Sequence, residues 1–121
     1  MTVEVHVSDE AVDVRLTGMD VVWSLRRSLH LPISEIVSAR VTPRDEALGI
    51  LGWRLGGTYF PGRIAAGRFT VRGHKGERAF CCLFSDPQVL VIETRRPSPR
   101  YVILQHPEHH DLAWFIGERI D

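Results

Sequence analysis

Residues 101–120 read YVILQHPEHHDLAWFIGERI, and this stretch decides the predicted fold. Its first four residues are apolar, which is typical of a buried strand. Pro107 then suits the first turn of a helix, where a missing N–H is not needed. The apolar residues that follow recur at the spacing of one helix face: Leu112, Phe115, Ile116 and Ile120. We therefore expect a strand and then a C-terminal helix at 106–120 that packs on the rest of the chain.

Strand patterns precede this segment along most of the chain. Apolar and polar residues alternate with period two, or β-prone residues cluster between turn signals. We predict strands at residues 3–7, 12–16, 33–41, 64–72, 78–84, 89–93 and 101–104. A short helix is predicted near residues 20–29, because Asp20 can cap its start and Pro32 ends it. The prediction is one domain, residues 1–121, that is mainly β with a C-terminal helix.

Residues 43–62 are predicted to be irregular, because glycine and proline recur throughout them. One short helical turn is expected at residues 47–51. Gly67, within a predicted strand, indicates a bulge or a close approach of two backbones. Large apolar side chains lie among the glycines: Trp53, Leu55, Tyr59 and Phe60. We expect these four to pack onto the body of the domain, since exposing them would leave an apolar patch.

Composition restricts the classes of function. The 121 residues include 15 basic and 15 acidic side chains, and 44% are hydrophobic. This balance argues against a dedicated nucleic-acid binder, which carries a basic excess, and it tolerates self-association. The N-terminus lacks a secretion signal pattern, and no apolar run approaches the ~20 residues of a membrane span. Cys81 and Cys82 are neighbours on a strand that point to opposite faces, so we expect free thiols and a cytoplasmic protein.

The order of the elements resembles that of the pleckstrin-homology-like (PH-like) superfamily, in particular its bacterial members. The likeness lies in Leu31-Pro32-Ile33-Ser34-Glu35-Ile36-Val37, in the glycine-rich residues 57–67, and in the closing strands at 89–104 before a proline and a helix. It implies a bent barrel of about seven antiparallel strands in two near-orthogonal sheets, capped by the helix at 106–120. It also implies a non-enzymatic binding or assembly module, without a cofactor, that forms a homo-oligomer or binds a protein partner.

Phosphoinositide binding is not carried over from the resemblance. Eukaryotic members of the superfamily often bind these lipids through basic residues in the first hairpin loop. Here that loop is Ser8-Asp9-Glu10, which is acidic and repels anionic head groups.

A histidine cluster supports an alternative function. His106, His109, His110 and Asp111 lie at or near the start of the predicted helix, and His106 and His110 are four residues apart, a spacing that zinc sites use. A small-molecule or metal-binding protein is therefore the alternative. A polar first turn with solvated imidazoles explains the same residues. The sequence shows no catalytic constellation.

Two further features bear on partners. Residues 63–78 are locally basic, which suits an anionic partner or a solvated face paired with the acid-rich first twenty residues. Trp114 lies nearly opposite the apolar stripe of the predicted helix, on the same side as His110. Either the helix is buried on two sides, with Trp114 partly packed against the domain, or Trp114 belongs to an interface, where tryptophan is enriched. We predict that Trp114 and His110 mark a contact with another protein or a second copy.

Overall fold

The computed structural model describes residues 2–18 and 28–120. In these ranges the chain forms strands, two helices and a 3-10 turn at Ile33–Glu35. The strands are β1 Thr2–Val7, β2 Ala11–Thr17, β3 Ser28–Pro32, β4 Ile36–Pro43, β5 Leu51–Phe60, β6 Ile64–Val71, β7 His74–Leu83, β8 Gln88–Thr94 and β9 Tyr101–Leu104. The helices are α1 Arg44–Leu48 and α2 His109–Arg119. The expectation of a mainly β protein with a C-terminal helix is confirmed.

The strands form two sheets rather than a barrel. One sheet has the order β1-β2-β3, and the other has the order β4-β8-β9-β7-β6-β5. The predicted barrel is wrong at this point, because β4 and β5 are opposite edges of the larger sheet and do not pair. The prediction of purely antiparallel pairing is also wrong, since β7 and β9 run parallel. Every other pair of neighbouring strands is antiparallel.

Successive side chains along the strands of the larger sheet point to opposite faces, and each face carries a hydrophobic core. One core lies between the sheets and includes Phe80, Cys82 and Leu104. The opposite face carries a second core that includes Phe69, Cys81 and Ile103, which Ala47 of α1 helps to cover. The two cysteines are free and buried on opposite faces, as their adjacent positions on a strand require.

Helix α2 packs against β4, β8 and β1 on the first core. It begins at His109, three residues later than predicted, so Pro107 precedes it. Leu112 and Ile116 are buried, but Phe115 is 44% exposed, which corrects the predicted stripe. The buried face is centred on Ile116 and is flanked by Ala113 rather than by Phe115. No helix in the described ranges is long and apolar enough to cross a membrane.

Two other local predictions need correction, and a third falls mainly outside the described residues. The short helix expected near residues 20–29 covers residues 20–27, which the structure does not describe, and its last two positions, Ser28 and Leu29, belong to β3. The strand expected from residue 33 begins only at Ile36, after the 3-10 turn. The supposedly irregular residues 43–62 form α1 and the ten-residue strand β5.

A pair of facing glycines bends the β5–β6 hairpin. Gly57 pairs with Gly67, and their φ angles are +104° and +123°. A Cβ atom on Gly67 would lie 2.1 Å from the carbonyl oxygen of Gly56 and 2.8 Å from the Cα of Gly57. Only glycine fits at this position, because the obstruction is backbone and the dihedral angle disfavours any other residue. The close approach predicted at Gly67 is confirmed.

Candidate functional site

Strand β5 carries the most exposed aromatic side chain among the described residues. Trp53 is 82% exposed, and three further large apolar residues of the strand are 42% exposed or more: Leu55, Tyr59 and Phe60. The expectation that these four pack onto the body of the domain is therefore wrong. The reason is topological: β5 is the edge of the larger sheet and pairs only with β6. An exposed edge with apolar side chains is a site of association with another chain.

An apolar groove lies on one side of Trp53. It has a volume of about 570 Å³ and is lined by side chains of α1, β5 and β6. Leu48, Tyr59 and Phe69 supply apolar surface, and Arg54 and Arg72 supply two cations. The rings of Tyr59 and Phe69 meet edge to face, with centroids 6.3 Å apart. This volume falls in the range of about 300–1,000 Å³ that accommodates a compact ligand or a few side chains of a partner.

A basic groove of about 840 Å³ lies on the other side of Trp53 and follows the β6–β7 turn. Its lining includes the cationic residues Arg72, Lys75 and Arg78, together with His74. Arg72 also lines the apolar groove and donates its Nε–H to the carbonyl oxygen of Leu51 at 3.3 Å. The side chain of Arg72 is thus held where the two grooves meet. We call Trp53 and the two grooves beside it the Trp53 surface.

The backbone of Trp53 is fixed although its ring is exposed. Its N–H donates to the Oγ1 of Thr70 at 2.7 Å, across from β6. A Cβ atom on the preceding Gly52 would lie 2.3 Å from that same Oγ1, so a small residue is needed to let the strands approach. The ring is thus presented from an ordered backbone, which lowers the entropy lost when a partner covers it.

Charges around the Trp53 surface are not neutralised within the described chain. No acidic side chain in residues 2–18 and 28–120 lies within ion-pair distance of Arg54, Arg72 or Lys75. Glu77, the only acid of the segment, faces Arg100 instead, at 3.8 Å. Within the described residues, the predicted basic segment therefore includes cations without an acidic partner. No acid of residues 2–18 forms an ion pair with this segment, since Asp9 pairs with Arg119 and Asp13 with His30.

Helix α2 presents a second aromatic surface. Trp114 is 61% exposed, and its ring meets that of Phe115 edge to face with centroids 5.2 Å apart. The structure therefore places Trp114 on the outward side of the helix, as the sequence indicates. His110 is exposed one turn earlier, and its ring lies 4.5 Å from that of His109. The predicted contact of Trp114 and His110 with a partner remains a prediction.

The histidine cluster is organised by local backbone contacts. The Nδ1 of His106 accepts the N–H of Glu108 at 3.0 Å, and the Nδ1 of His109 lies 2.8 Å from the carbonyl oxygen of His106. Within the described ranges, no group of three or more His, Cys, Asp or Glu side chains is arranged to hold a metal ion. Zinc binding by His106, His109, His110 and Asp111 stays a prediction, which calorimetric titration with zinc tests.

The two cysteines do not have the surroundings of a reactive or metal-binding thiol. Burial raises the pKa of the Cys81 thiol well above its usual range, and the neighbouring Cys82 raises it further. The Cys81 Sγ lies 3.2 Å from the carbonyl oxygen of Ala65. A reactive thiol needs a lowered pKa and access to solvent, and Cys81 has neither.

Comparison with protein-family models, with curated proteins and with solved structures finds no match for this chain. The resemblance to the PH-like superfamily therefore stands on the order of its elements alone.

Sequence reasoning found the basic half of the Trp53 surface but missed its aromatic half. The run Leu51–Phe60 is long enough for a strand, and its glycines suggested a loop instead. The available signal for this strand was the glycine at position 67, which already indicated the close approach of a second backbone. No pattern in the sequence showed that β5 would be an edge.

Proposed function

We propose that this protein is a non-enzymatic assembly module that binds a second protein surface through the Trp53 surface. The observation that carries the proposal is the exposure of Trp53, 82%, between an apolar groove and a basic groove. Tryptophan and arginine are the residues that most often dominate the binding energy of interfaces. The side chains that line the two grooves supply shape, apolar area and positive charge. No chemical reaction is proposed at this surface.

Covering Trp53 supplies part of the free energy that association needs. A tryptophan buries about 150–250 Å² when covered, which corresponds to about 4–6 kcal/mol at 25 cal/mol per Å². The lost freedom of two associating molecules costs a comparable amount. Trp53 alone is therefore not enough, and the grooves beside it must contribute to the contact.

The partner that we propose is a protein, and specifically another copy of this chain. The 15 basic and 15 acidic side chains give a formal net charge of zero, so copies do not repel one another through their overall charge. The likeness to the PH-like superfamily favours the same kind of role, because that resemblance implies binding and assembly.

Sedimentation velocity over a wide range of protein concentrations tests the proposal. We expect the wild-type protein to associate as concentration rises, and Trp53→Ala to remain at the 13.7 kDa mass of one chain. Phe60→Ala is the matched control, since Phe60 is also exposed on β5 but pairs with Ile64 and lines neither groove. A wild-type protein that stays monomeric, or equal association of Trp53→Ala and wild type, contradicts the proposal.

A further inference from the structure

The outward side of α2 forms an acidic and aromatic stripe. Asp111, Trp114, Phe115 and Glu118 follow the spacing i, i+3, i+4 and i+7, which places them in one row along the helix. All four side chains are exposed. In the described part of the chain, neither acid of the row has a cation within ion-pair distance. We call this row the α2 stripe.

The α2 stripe and the Trp53 surface are complementary in charge, and both carry exposed aromatic side chains. The stripe is convex, carries two carboxylates and projects a tightly packed pair of aromatic rings. The Trp53 surface is concave on both sides of Trp53 and carries Arg54, Arg72 and Lys75. Opposite potentials steer two such surfaces together and fix their register, while the aromatic rings supply the buried apolar area.

One copy of the chain cannot join these two surfaces to each other. Leu112 and Ile116 anchor α2 in the core between the sheets, near the β4 edge. The apolar groove is lined by Phe69 and Leu51, which belong to the core on the opposite face, and it lies at the β5 edge. The surfaces are thus separated by the thickness of the larger sheet and by its width of six strands.

We infer that copies of this protein associate head to tail, with the α2 stripe of one copy seated on the Trp53 surface of the next. This inference rests on the proposed function and identifies the second half of the contact. A contact between two different surfaces leaves one of each kind free on every pair, so it propagates into an open chain or closes into a ring. A symmetric contact between two Trp53 surfaces stops at the dimer, and it sets cations against cations.

Mixing two defective variants tests the inference directly. Trp53→Ala removes the centre of one surface and Trp114→Ala removes the centre of the other, and both side chains are exposed enough for the fold to persist, which circular dichroism verifies. We expect each variant alone to associate about 30-fold or more weakly than the wild type, as for an interface hot spot. We expect an equimolar mixture to form pairs, because Trp53→Ala retains an intact stripe and Trp114→Ala retains an intact Trp53 surface.

The outcomes separate this inference from the proposed function. A mixture that pairs at near wild-type affinity and stops at two chains supports head-to-tail association, as does a wild-type mass that grows beyond two chains. If Trp53→Ala abolishes association but Trp114→Ala does not, the proposed function holds and the inference is overturned. A mixture that remains monomeric while the wild type associates overturns the inference. A wild-type protein that never associates overturns both.

Charge reversal gives an independent measurement. Asp111→Arg together with Glu118→Arg turns the stripe basic without altering its aromatic rings. We expect this variant to lose association by itself and to regain it when mixed with a protein in which Arg72→Glu and Lys75→Glu make the Trp53 surface acidic. Association that is unchanged by the first pair of substitutions overturns the inference.

Discussion

Replacing Gly67 by alanine tests whether the close approach of β5 and β6 shapes the fold. The added Cβ atom would lie 2.1 Å from a backbone oxygen, which no side-chain rotation can relieve. Forcing the strands apart costs about 1–3 kcal/mol, as overpacking does, and holding alanine at φ +123° costs a further 1–3 kcal/mol. We expect a total loss of about 2–6 kcal/mol in the free energy of unfolding.

Gly73→Ala is the matched control for the dihedral angle alone. Gly73 has φ +78°, and a Cβ atom there would meet nothing within 4 Å. Its expected loss is about 1–2 kcal/mol. With a urea m-value of about 2 kcal/mol/M, the midpoint of unfolding falls by about 0.5–1 M for Gly73→Ala and by about 1–3 M for Gly67→Ala. Equal shifts of the two midpoints in urea titrations followed by circular dichroism refute the reasoning.

Three further predictions concern the core. Ile116→Ala is expected to lower the free energy of unfolding by about 2–5 kcal/mol, because Ile116 is fully buried. Phe115→Ala is expected to lower it by less than half as much, because Phe115 is 44% exposed. Equal losses for the two variants in chemical denaturation contradict the assignment of the buried helix face. Cys81 and Cys82 are expected to resist a thiol reagent such as DTNB in the folded protein and to react in urea, since both are fully buried; rapid labelling of the native protein counts against this burial. Because the pKa of the Cys81 thiol is raised in the folded state, its contribution to stability is complete below the pKa that the thiol has when unfolded. The contribution declines as pH rises above that value, by at most about 1.4 kcal/mol per pH unit. Cys81→Ala should flatten this decline, and an identical decline in both proteins argues against it.

The parts of the fold that local patterns control were predictable from the sequence. Alternating residues identified β1 and β2, and the apolar spacing identified α2, because burial of one face imposes these periods directly. The adjacent cysteines were placed correctly on opposite faces for the same reason. These features depend on the immediate neighbours of each residue and not on which strand pairs with which.

The features that depend on pairing were not predictable. Phe115 fits the apolar spacing of α2, but the position of β4 and β8 turns the helix so that Ala113 flanks the core instead. Trp53 looked like a core residue because an apolar side chain gives no sign that its strand is an edge. The parallel pairing of β7 with β9 likewise has no local signal in the sequence, since β8 lies between these two strands in the chain.

The insertion of β8 and β9 into the larger sheet has a consequence for folding. Strands β5, β6 and β7 are consecutive in the chain and neighbours in the sheet, so short hairpins are enough to pair them. Strand β4 pairs with β8 instead, and three other strands lie between these two in the chain. Contacts that close long loops form late, because the loop entropy is lost before the contact is gained. Helix α2 docks on β4 and β8 and therefore depends on that late pairing. We therefore expect α2, which has the clearest pattern in the sequence, to dock last during folding.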